Sequence, residues 1–555
     1  MKKSFLPLFC ALAVLACAGF GAGASDAADR FARKIHTLNS IAKELETNYV
    51  DTLAVEDLMN GAIGALLYQI DPYTEYYPAD DQDELLALSE GSYAGIGALI
   101  SKRGDKVIIS NPYWNSPSRR YGLRHGDVII AVDGDTITPS TDISSVSRRL
   151  RGQAGTKVRV DIARPYVGPD SLMSFEITRG SIVTEPLPYY GLLPDSVGYI
   201  LLTQFSESAA RDLKGAVADL VARPGLKGII LDLRDNGGGL LEGAVQTAGL
   251  FVPKGTEILR TRGRQVEERI YRTTQQPVAP DVPLVVLVNG RTASSSEIVS
   301  GSLQDLDRAV IMGERTFGKG LVQSTRPLPY DDVLKITTAR YYIPSGRLIQ
   351  ALNYAERTEE GLPTRTPDSL TTAYLTRAGR TVRDGGGITP DSIVESIEYS
   401  RLAMRLAAEN KFADFANRTF NTDSTAKAAD AVLVDSTTYE SFSRFVVDSD
   451  FNYDRNADRM LRLLREATEA EGYMNDTVAA RIDALEEVLH HDLSHDLDLR
   501  RDEIIMLLDN EIGSRYFNDG TVVARGIDRD HMITRARALL HNPAEYRRIL
   551  SAPAQ

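Results

Sequence analysis

The sequence predicts an α/β core that carries a small β-rich module and is flanked by helical regions at its N- and C-terminal ends. Three observations support this fold class. Apolar runs alternate with amphipathic helix patterns between residues 181 and 395. Short β-type runs separated by Gly and Pro turns fill residues 91–180. In residues 25–90, apolar residues recur every three or four positions, as they do along one face of a helix, and residues 396–555 look helical again, polar and rich in Arg, Glu and Asp.

The first 24 residues are typical of an export signal. Lys2 and Lys3 form a short basic region, and an apolar run follows to about residue 20. Small residues then precede a cleavage point after Ala24, and the run is too short and too rich in alanine for a membrane span. We therefore predict a signal peptide over residues 1–24 and an exported protein of the periplasm or cell envelope.

Both cysteines of the chain, Cys10 and Cys17, lie in this segment. Cleavage after Ala24 would leave a mature chain without cysteine, which excludes disulfides, thiolate nucleophiles and cysteine-based metal sites. The alternative is a lipoprotein signal that ends at Cys17, and only then would the chain be anchored to a membrane. The bulky Leu15 fits that signal poorly, so cleavage after Ala24 is the preferred prediction.

The composition is ordinary for a globular protein of several domains. The 555 residues are 43% hydrophobic and 25% charged, with a formal net charge of −13. This acidic balance argues against nucleic acid as a partner, because phosphate binding needs clustered Lys and Arg.

Two regions precede the core. The N-terminal helical region, residues 25–90, rests on "FARKIHTLNSIAKELETNYV" and "VEDLMNGAIGALLYQI", and the prolines of "DPYTEYYPADD" break its pattern. The β-rich module, residues 91–180, contains "TKVRVDIARP", in which apolar and polar residues alternate as in a half-buried strand.

The core, residues 181–395, contains the strand patterns "VGYILLTQF", "GIILDLR" and "PLVVLVN" and the amphipathic helix pattern "AARDLKGAVADLVA". This alternation predicts a largely parallel or mixed sheet with helices packed on it. The C-terminal region, residues 396–555, is polar and helical. Its cluster "HHDLSHDLD", His490 to Asp498, has His491 and His495 on one helix face. A solvated helix face explains that cluster better than a metal site, and we predict no metal.

Three consecutive serines in "NGRTASSSEIVSG" follow the buried strand and precede a helix pattern. Such a cluster is commonly a helix N-cap, and "SSSE" fits one. A serine nucleophile would instead need a neighbouring base. None of the seven histidines lies between residues 126 and 489. A Ser-His-Asp triad in the core is therefore excluded, unless a distant segment folds back into it.

Lysine is the remaining candidate base, because a desolvated lysine loses part of its preference for the charged form. Lys319 lies between two glycines in "GERTFGKGLVQ", and these glycines allow an unusual turn and close approach of other backbone. Gln323 follows four residues later, and its amide can orient the lysine amine by hydrogen bonding.

Long, ordered motifs between about residues 35 and 395 resemble those of the C-terminal processing peptidases, or tail-specific proteases, of serine peptidase family S41. The motifs are "ILDLRDNGGGLL", "NGRTASSSEIVSGSLQDLDRAVIMGERTFGKGLVQ", "YYIPSGRLIQ" and "YLTRAGRTVRDGGGITPD". The resemblance implies a crotonase- or ClpP-like peptidase core that needs no cofactor and acts on protein or peptide substrates.

The resemblance also implies the catalytic residues. The family's nucleophile stands three residues before the glutamate of "SEI" and 25 before the lysine, and both rules select Ser294. Lys319 is then the general base, and Gln323 is its orienting partner. Ser296 is expected to cap the following helix.

By the same resemblance, backbone N–H groups of Ser295 and of the turn Gly237–Gly239 form the oxyanion hole, and we choose Gly238 from that turn. The family commonly has "NNPGG" where this chain has "DNGGG".

The β-rich module resembles a PDZ domain. "YAGIGALIS" is similar to its carboxylate-binding loop and first strand, and "NSPSRRYGLRHGDVIIAVDG" to its helix, turn and next strand. We expect Gly95, Ile96 and Gly97 to bind the C-terminal tail of a substrate. The resemblance further makes the terminal helical regions candidates for assembling a homo-oligomer.

Three functions are open on the sequence. The first is an exported serine endopeptidase that binds protein tails and cleaves with a Ser-Lys dyad. The second is a non-proteolytic PDZ-type tail-binding scaffold or assembly protein, which an altered nucleophile or lysine would favour; neither is altered here. The third is a crotonase-like acyl-CoA enzyme, whose export makes little sense because CoA is cytosolic. The export signal and the PDZ module favour the peptidase.

Overall fold

The computed structural model describes residues 29–79, 91–168, 171–420, 427–489 and 492–551. The chain divides into two compact units. One contains Met1–Ala79 and Gln323–Thr337, and the other contains Asp80–Val322 and Thr338–Gln555.

Several predicted features fall outside the described residues: the signal peptide of 1–24 with both cysteines, and His490 and His491 of the histidine cluster. Within the described ranges, no helix is both long enough and apolar enough to cross a membrane.

The first unit combines two helices with short strands. Residues 29–48 and Val55–Tyr68 are helical, as predicted. Glu75–Tyr77 is a strand that the helical pattern does not indicate, and it pairs antiparallel with the first residues of the strand Val333–Tyr342. The Asp71 carboxylate accepts two backbone N–H groups in the turn before this strand, which ends the helical course of the chain. The strand Leu321–Pro327 leads into this unit.

The predicted PDZ module begins the second unit and contains a six-stranded antiparallel sheet, a separate antiparallel pair formed by Ser92–Gly95 and Gly180–Val183, and two helices. The strand Lys157–Ala163 buries Val158, Val160 and Ile162 and turns its alternate residues outward, so the predicted alternation is confirmed. The strands are Ser92–Gly95, Ala98–Arg103, Lys106–Pro112, Val128–Val132, Asp135–Thr136, Lys157–Ala163, Leu172–Thr178 and Gly180–Val183, and the helices are Pro117–Arg120 and Ile143–Leu150. Ala98–Arg103 lies at an edge of the sheet.

The α/β core is built on a six-stranded sheet. In spatial order its strands are Tyr189–Leu192, Val197–Leu201, Gly228–Asp232, Leu284–Val288, Val310–Gly313 and Ser392–Ile393. All neighbouring pairs are parallel except the first, which is antiparallel. The prediction of a largely parallel or mixed sheet is therefore confirmed.

Both faces of this sheet are covered, which explains its continuous apolar strands. On one face, Ile229, Leu231 and Val286 pack with the core helices Ala209–Val221, Leu241–Ala248 and Ser295–Asp305. On the other, Ile230, Val285 and Leu287 pack with side chains of the helices His531–Leu540 and Pro543–Leu550. The last helices of the chain thus complete the core, a contact that the sequence pattern does not indicate.

Further strands of this unit lie outside the main sheet. They are Glu257–Arg262 and Arg269–Arg272, which pair with each other, and the ribbons Leu352–Arg357 with Pro363–Arg365 and Ala373–Leu375 with Thr381–Arg383. Glu257–Arg262 also pairs with the last residues of Val333–Tyr342.

The C-terminal region is helical, as predicted, and has its own aromatic core around Phe412, Phe415 and Phe442. Its helices are Arg401–Ala408, Lys411–Phe420, Ser436–Val447, Asn456–Ala470, Asp476–Val488, Leu493–Leu499, Arg501–Tyr516, Asp519–Gly526, His531–Leu540 and Pro543–Leu550. The region also contacts the PDZ module, where the Arg103 guanidinium donates two hydrogen bonds of 2.6 Å to the Asp414 carboxylate.

Candidate active site

Ser294 lies between the strand Leu284–Val288 and the helix Ser295–Asp305, at the N-cap position of that helix. Its φ of 55° and ψ of −116° are unusual for a residue with a side chain. Such backbone strain persists only where surrounding contacts enforce it, and it concentrates at functional sites. The helix itself is buried along its whole length, so the position of Ser294 is fixed from behind.

The other two serines are held by the glycine turn. Ser295 Oγ donates to the Gly239 carbonyl at 2.9 Å, and Ser296 Oγ donates to the Asn236 carbonyl at 2.9 Å. The expectation that Ser296 caps the helix is wrong, because the helix begins at Ser295 and its N-cap is Ser294, two residues before Ser296. Both hydroxyl groups therefore connect the start of the helix Ser295–Asp305 to the glycine turn by hydrogen bonds.

Glu297 is a fully buried carboxylate at the centre of the site. It accepts four hydrogen bonds, from Ser294 N–H at 2.9 Å, Thr316 Oγ1 at 2.5 Å, Gly318 N–H at 2.7 Å and Lys319 N–H at 2.8 Å. Burial raises the pKa of the Glu297 carboxyl to about 7, and the hydrogen bonds oppose that rise.

Two groups bring the backbones of Ser294 and Lys319 together. Both N–H groups donate to the same oxygen, Glu297 Oε2, so the two nitrogens are separated by no more than the sum of those hydrogen-bond lengths. On the carbonyl side, the Tyr341 hydroxyl lies 2.5 Å from the Lys319 oxygen and 3.2 Å from the Ser294 oxygen. The backbones of Ser294 and Lys319 therefore lie close together, although the two residues are 25 apart in sequence.

The glycines beside Lys319 allow the close approach that the sequence predicts. A Cβ on Gly318, which has a φ of +89°, would lie 2.4 Å from Ala351 Cβ. A Cβ on Gly320 would lie 2.9 Å from the Gln350 nitrogen. No side chain fits at either position without moving the neighbouring chain, so the loop around Lys319 is enclosed on both sides.

Gln323 belongs to the first compact unit, whereas Ser294 and Lys319 belong to the second. The Gln323 side-chain amide donates to Thr337 Oγ1 at 3.2 Å. Its assignment as the orienting partner of Lys319 stays a prediction.

The glycine turn packs directly against Ser294. A Cβ on Gly238, which has a φ of +106°, would lie 2.8 Å from Ser294 Cβ and 2.9 Å from the Ser295 nitrogen. The turn is therefore close enough to Ser294 for the predicted oxyanion role to be possible in this geometry. The Gly238 N–H, however, donates to Asn236 Oδ1 at 2.9 Å. The choice of Gly238 stays a prediction, and using its N–H for an oxyanion requires this hydrogen bond to be shared or broken.

Two of the three predicted tail-binding residues of the PDZ module, Ile96 and Gly97, line a groove, whereas Gly95 is not among its lining residues. The groove has a volume of about 560 Å³ and runs between the edge strand Ala98–Arg103 and the helix Ile143–Leu150. Gly97 has a φ of +72°, and a Cβ there would lie 2.5 Å from Ser116 Cβ, so this loop needs glycine. An edge strand beside a helix is the arrangement that accepts an extended peptide as an added strand.

No group of three or more His, Cys, Asp or Glu side chains is arranged to hold a metal ion within the described residues. The network around Ser294 and Lys319 consists of hydroxyl, carboxylate and backbone groups, whose chemistry is proton transfer and charge stabilisation.

Sequence reasoning missed the contacts of two groups of the site. The sequence indicated Glu297 as part of the capping pattern "SSSE" and as the reference for locating the serine, but not its contacts with Thr316, Gly318 and Lys319. Tyr341 begins the quoted motif "YYIPSGRLIQ", but that motif does not indicate the contact of its hydroxyl with the site, which arises only in the tertiary fold.

Comparison with known proteins is consistent with this architecture. Residues 196–355 match the model of peptidase family S41, residues 108–164 match a PDZ domain, and residues 402–540 match the probable PDZ-protease C-terminal helical domain. The carboxy-terminal-processing protease of Bartonella bacilliformis is 33% identical over 324 residues, which cover 58% of this chain and 73% of the relative. This chain therefore belongs to the carboxy-terminal-processing protease family, peptidase family S41.

Two further relatives were found. The carboxy-terminal processing protease CtpA of Bacillus subtilis is 30% identical over 334 residues, covering 60% of this chain and 70% of the relative. Among solved structures, the photosystem II D1 C-terminal processing protease is 27% identical, covers 64% of this chain and 85% of its own, and superposes with a TM-score of 0.36.

Proposed function

We propose that this protein is a serine endopeptidase that cleaves polypeptides whose C-terminal tails bind its PDZ domain, with Ser294 as nucleophile and Lys319 as general base. The observation that carries the proposal is that two side chains, those of Glu297 and Tyr341, each contact the backbone of both residues. Glu297 holds their N–H groups, and the Tyr341 hydroxyl contacts their carbonyl oxygens. A serine nucleophile needs a base within reach, and these shared backbone contacts support Lys319 in that role.

In the proposed reaction, Ser294 Oγ attacks the carbonyl carbon of the scissile peptide bond while neutral Lys319 Nζ accepts the hydroxyl proton. The developing oxyanion is stabilised by backbone N–H groups, for which Ser295 and Gly238 are the candidates. Lys319 then gives its proton to the leaving amine, the C–N bond breaks, and an ester on Ser294 remains. Water attacks this ester, passes a proton to Lys319, and restores Ser294 with release of the new carboxyl end.

Tail recognition is assigned to the PDZ groove. An extended tail would add to the edge strand Ala98–Arg103, with its terminal carboxylate at the loop of Gly95, Ile96 and Gly97. The apolar lining of the groove, which includes Ile96, Leu99 and Ile100, favours tails that end in apolar residues. Gln323 is proposed to orient the Lys319 amine, as the sequence predicts.

Export and assembly belong to the same proposal. The basic and apolar pattern of residues 1–24 supports export to the periplasm or cell envelope, with lipidation of Cys17 as the alternative to cleavage after Ala24. Homo-oligomerisation through the terminal helical regions is supported by apolar side chains that stay exposed on the helix 29–48, such as Phe31, Ile35 and Leu38.

The test is cleavage of an unstructured polypeptide with an apolar C-terminus by the wild type, Ser294→Ala and Lys319→Ala. The matched control is Lys254→Ala, which removes an exposed lysine. All variants are first shown to be folded by circular dichroism and thermal unfolding. We expect cutting by the wild type and the control, and none by the two dyad variants. Retained cutting by Ser294→Ala would contradict the assignment and direct attention to Ser295 or Ser296. Tail binding without cutting by any variant would favour the scaffold.

A further inference from the structure

Arg234 lies two residues after the end of the strand Gly228–Asp232 and contacts two carboxylates. Its Nη2 atom lies 2.6 Å from Asp232 Oδ2, and its Nη1 atom lies 2.8 Å from Asp530 Oδ2. Asp232 is a neighbour in sequence, whereas Asp530 lies in the part of the chain that matches the C-terminal helical domain. Burial alone would lower the pKa of the Arg234 guanidinium, but these carboxylates raise it above its ordinary value, so the side chain stays charged.

The Arg234 guanidinium and the Arg234 backbone N–H both contact the buried Asp232 carboxylate. The Asp232 carboxylate accepts the Arg234 N–H at 3.0 Å, and it also accepts the Tyr199 hydroxyl at 2.9 Å. A shift of the guanidinium is therefore coupled to a shift of the chain that enters the glycine turn.

The glycine turn also contacts the residues next to Ser294. Two residues after Arg234, the Asn236 carbonyl accepts the Ala293 N–H at 3.0 Å, and the Asn236 side chain accepts the Gly238 N–H at 2.9 Å. Ala293 immediately precedes Ser294, and Gly238 packs against it. The chain from Arg234 to Gly238 thus forms one wall of the catalytic loop.

Asp530 is itself positioned by hydrogen bonds from the helix that follows it. Its Oδ1 atom accepts the Met532 N–H at 2.9 Å and the Ile533 N–H at 3.0 Å, which caps the helix His531–Leu540. That helix covers one face of the peptidase sheet, and its Arg537 pairs with Asp195 at 2.9 Å. One carboxylate oxygen caps the helix, and the other, Oδ2, binds Arg234.

We propose that Asp530 is a positioning residue for the active site: by holding the Arg234 guanidinium it fixes the glycine turn against Ser294. The C-terminal helical domain then supplies part of the peptidase machinery. This inference rests on the proposed function for its kinetic consequence, whereas its structural consequence can be measured without any substrate.

The decisive variant is Asp530→Asn in the full-length protein. Asparagine caps helices as well as aspartate does, so the cap is kept while the charge that pairs with Arg234 is lost. The matched control is Asp435→Asn, because Asp435 caps the helix Ser436–Val447 through Thr438 N–H at 2.8 Å and has no arginine partner within the described residues. Asp530→Glu restores the charge. Each variant is measured for kcat and KM, and for hydrogen–deuterium exchange of residues 233–239.

We expect Asp530→Asn to lower kcat by about tenfold with KM unchanged, because small displacements of positioned groups are costly in catalysis. Exchange of residues 233–239 should become faster, Asp530→Glu should recover part of both losses, and Asp435→Asn should match the wild type. Unchanged kcat and exchange in Asp530→Asn would overturn the inference, as would equal losses in Asp435→Asn. If the wild type cleaves nothing, the proposed function fails, and the exchange comparison alone decides the positioning role in the same way.

Discussion

The segment around Ser294 and Lys319 and the PDZ groove both contain glycines with positive φ. They differ in whether side chains of the protein already bind their backbone groups. Around Ser294 and Lys319, the buried Glu297 carboxylate and the Tyr341 hydroxyl bind backbone groups of both residues. In the PDZ module, the strand Ala98–Arg103 lies at a sheet edge beside an open groove. Catalysis needs groups fixed before the substrate arrives, whereas strand addition needs backbone groups left for the ligand. Changes in the first region should therefore alter kcat, and changes in the second should alter KM.

The largest effect is expected from Glu297→Gln. An amide cannot accept all four hydrogen bonds that the carboxylate accepts, and its NH₂ group would face donors in a buried site. We expect kcat to fall by about a hundredfold, because the mutual placement of Ser294 and Lys319 is lost. Steady-state kinetics checks this, with the exposed Glu207→Gln as control. A kcat within twofold of wild type would show that the hydrogen bonds of Glu297 to Ser294 and Lys319 are not needed for catalysis.

The second prediction concerns pH and stability. The Glu297 carboxyl has an ordinary pKa of 4.5 and a pKa of about 7 in the folded protein. Between these values the folded protein holds a proton that the unfolded chain has released. The stabilising contribution of Glu297 is therefore complete below pH 4.5 and is lost as the pH rises through about 7.

The measurement for this is the free energy of unfolding by urea, compared between the wild type and Glu297→Gln from about pH 4 to about pH 8. The advantage of the wild type should shrink by roughly 3 kcal/mol over that interval, since one pKa unit corresponds to about 1.4 kcal/mol. A difference that stays constant with pH would show that Glu297 titrates alike in both states.

Gly97→Ala tests the recognition side of the comparison. The added Cβ meets Ser116 Cβ at 2.5 Å in a backbone conformation that alanine adopts only with strain. We expect KM for a tailed substrate to rise about tenfold with kcat nearly unchanged, given a strain of about 1–2 kcal/mol. Gly104→Ala is the matched control, because it carries similar strain at a φ of +56° with open space around it and lies outside the groove. A fall in kcat with KM unchanged would contradict the assignment of Gly97 to substrate recognition.

The smallest effect is expected from Tyr341→Phe. The ring stays buried while the hydroxyl contacts to the carbonyl oxygens of Ser294 and Lys319 are lost. A hydrogen bond of this kind contributes about 1 kcal/mol, so we expect about a fivefold loss in kcat. Kinetics with one peptide substrate checks this, and a change confined to KM would contradict the assignment of Tyr341 to the catalytic region.

Local patterns predicted much of this fold. The alternation in residues 157–163 and the apolar runs at 228–232 and 284–288 each report burial within a few residues, and the structure confirms all three. The strand Glu75–Tyr77 was missed because its partner lies about 260 residues away, opposite Lys335, and a three-residue strand carries little periodicity of its own.

The same limit applies to the site. Ser294 and Lys319 were found through spacing within one continuous motif, and the structure places their backbones side by side. The contacts of Tyr341 with that motif and of Asp530 with Arg234 are tertiary, and no local sequence pattern encodes which distant side chain fills such a position.

The most direct test of the central claim is covalent labelling by a peptide phosphonate that carries an apolar C-terminal tail, followed by mass spectrometry of the digested protein. A phosphonate reacts with an activated serine hydroxyl and stays attached. The account predicts a single label on Ser294 in the wild type, no label in Ser294→Ala, and strongly slowed labelling in Lys319→Ala. A label on Ser295, Ser296 or another residue, or labelling of Ser294 at an unchanged rate in Lys319→Ala, would contradict the Ser294–Lys319 dyad.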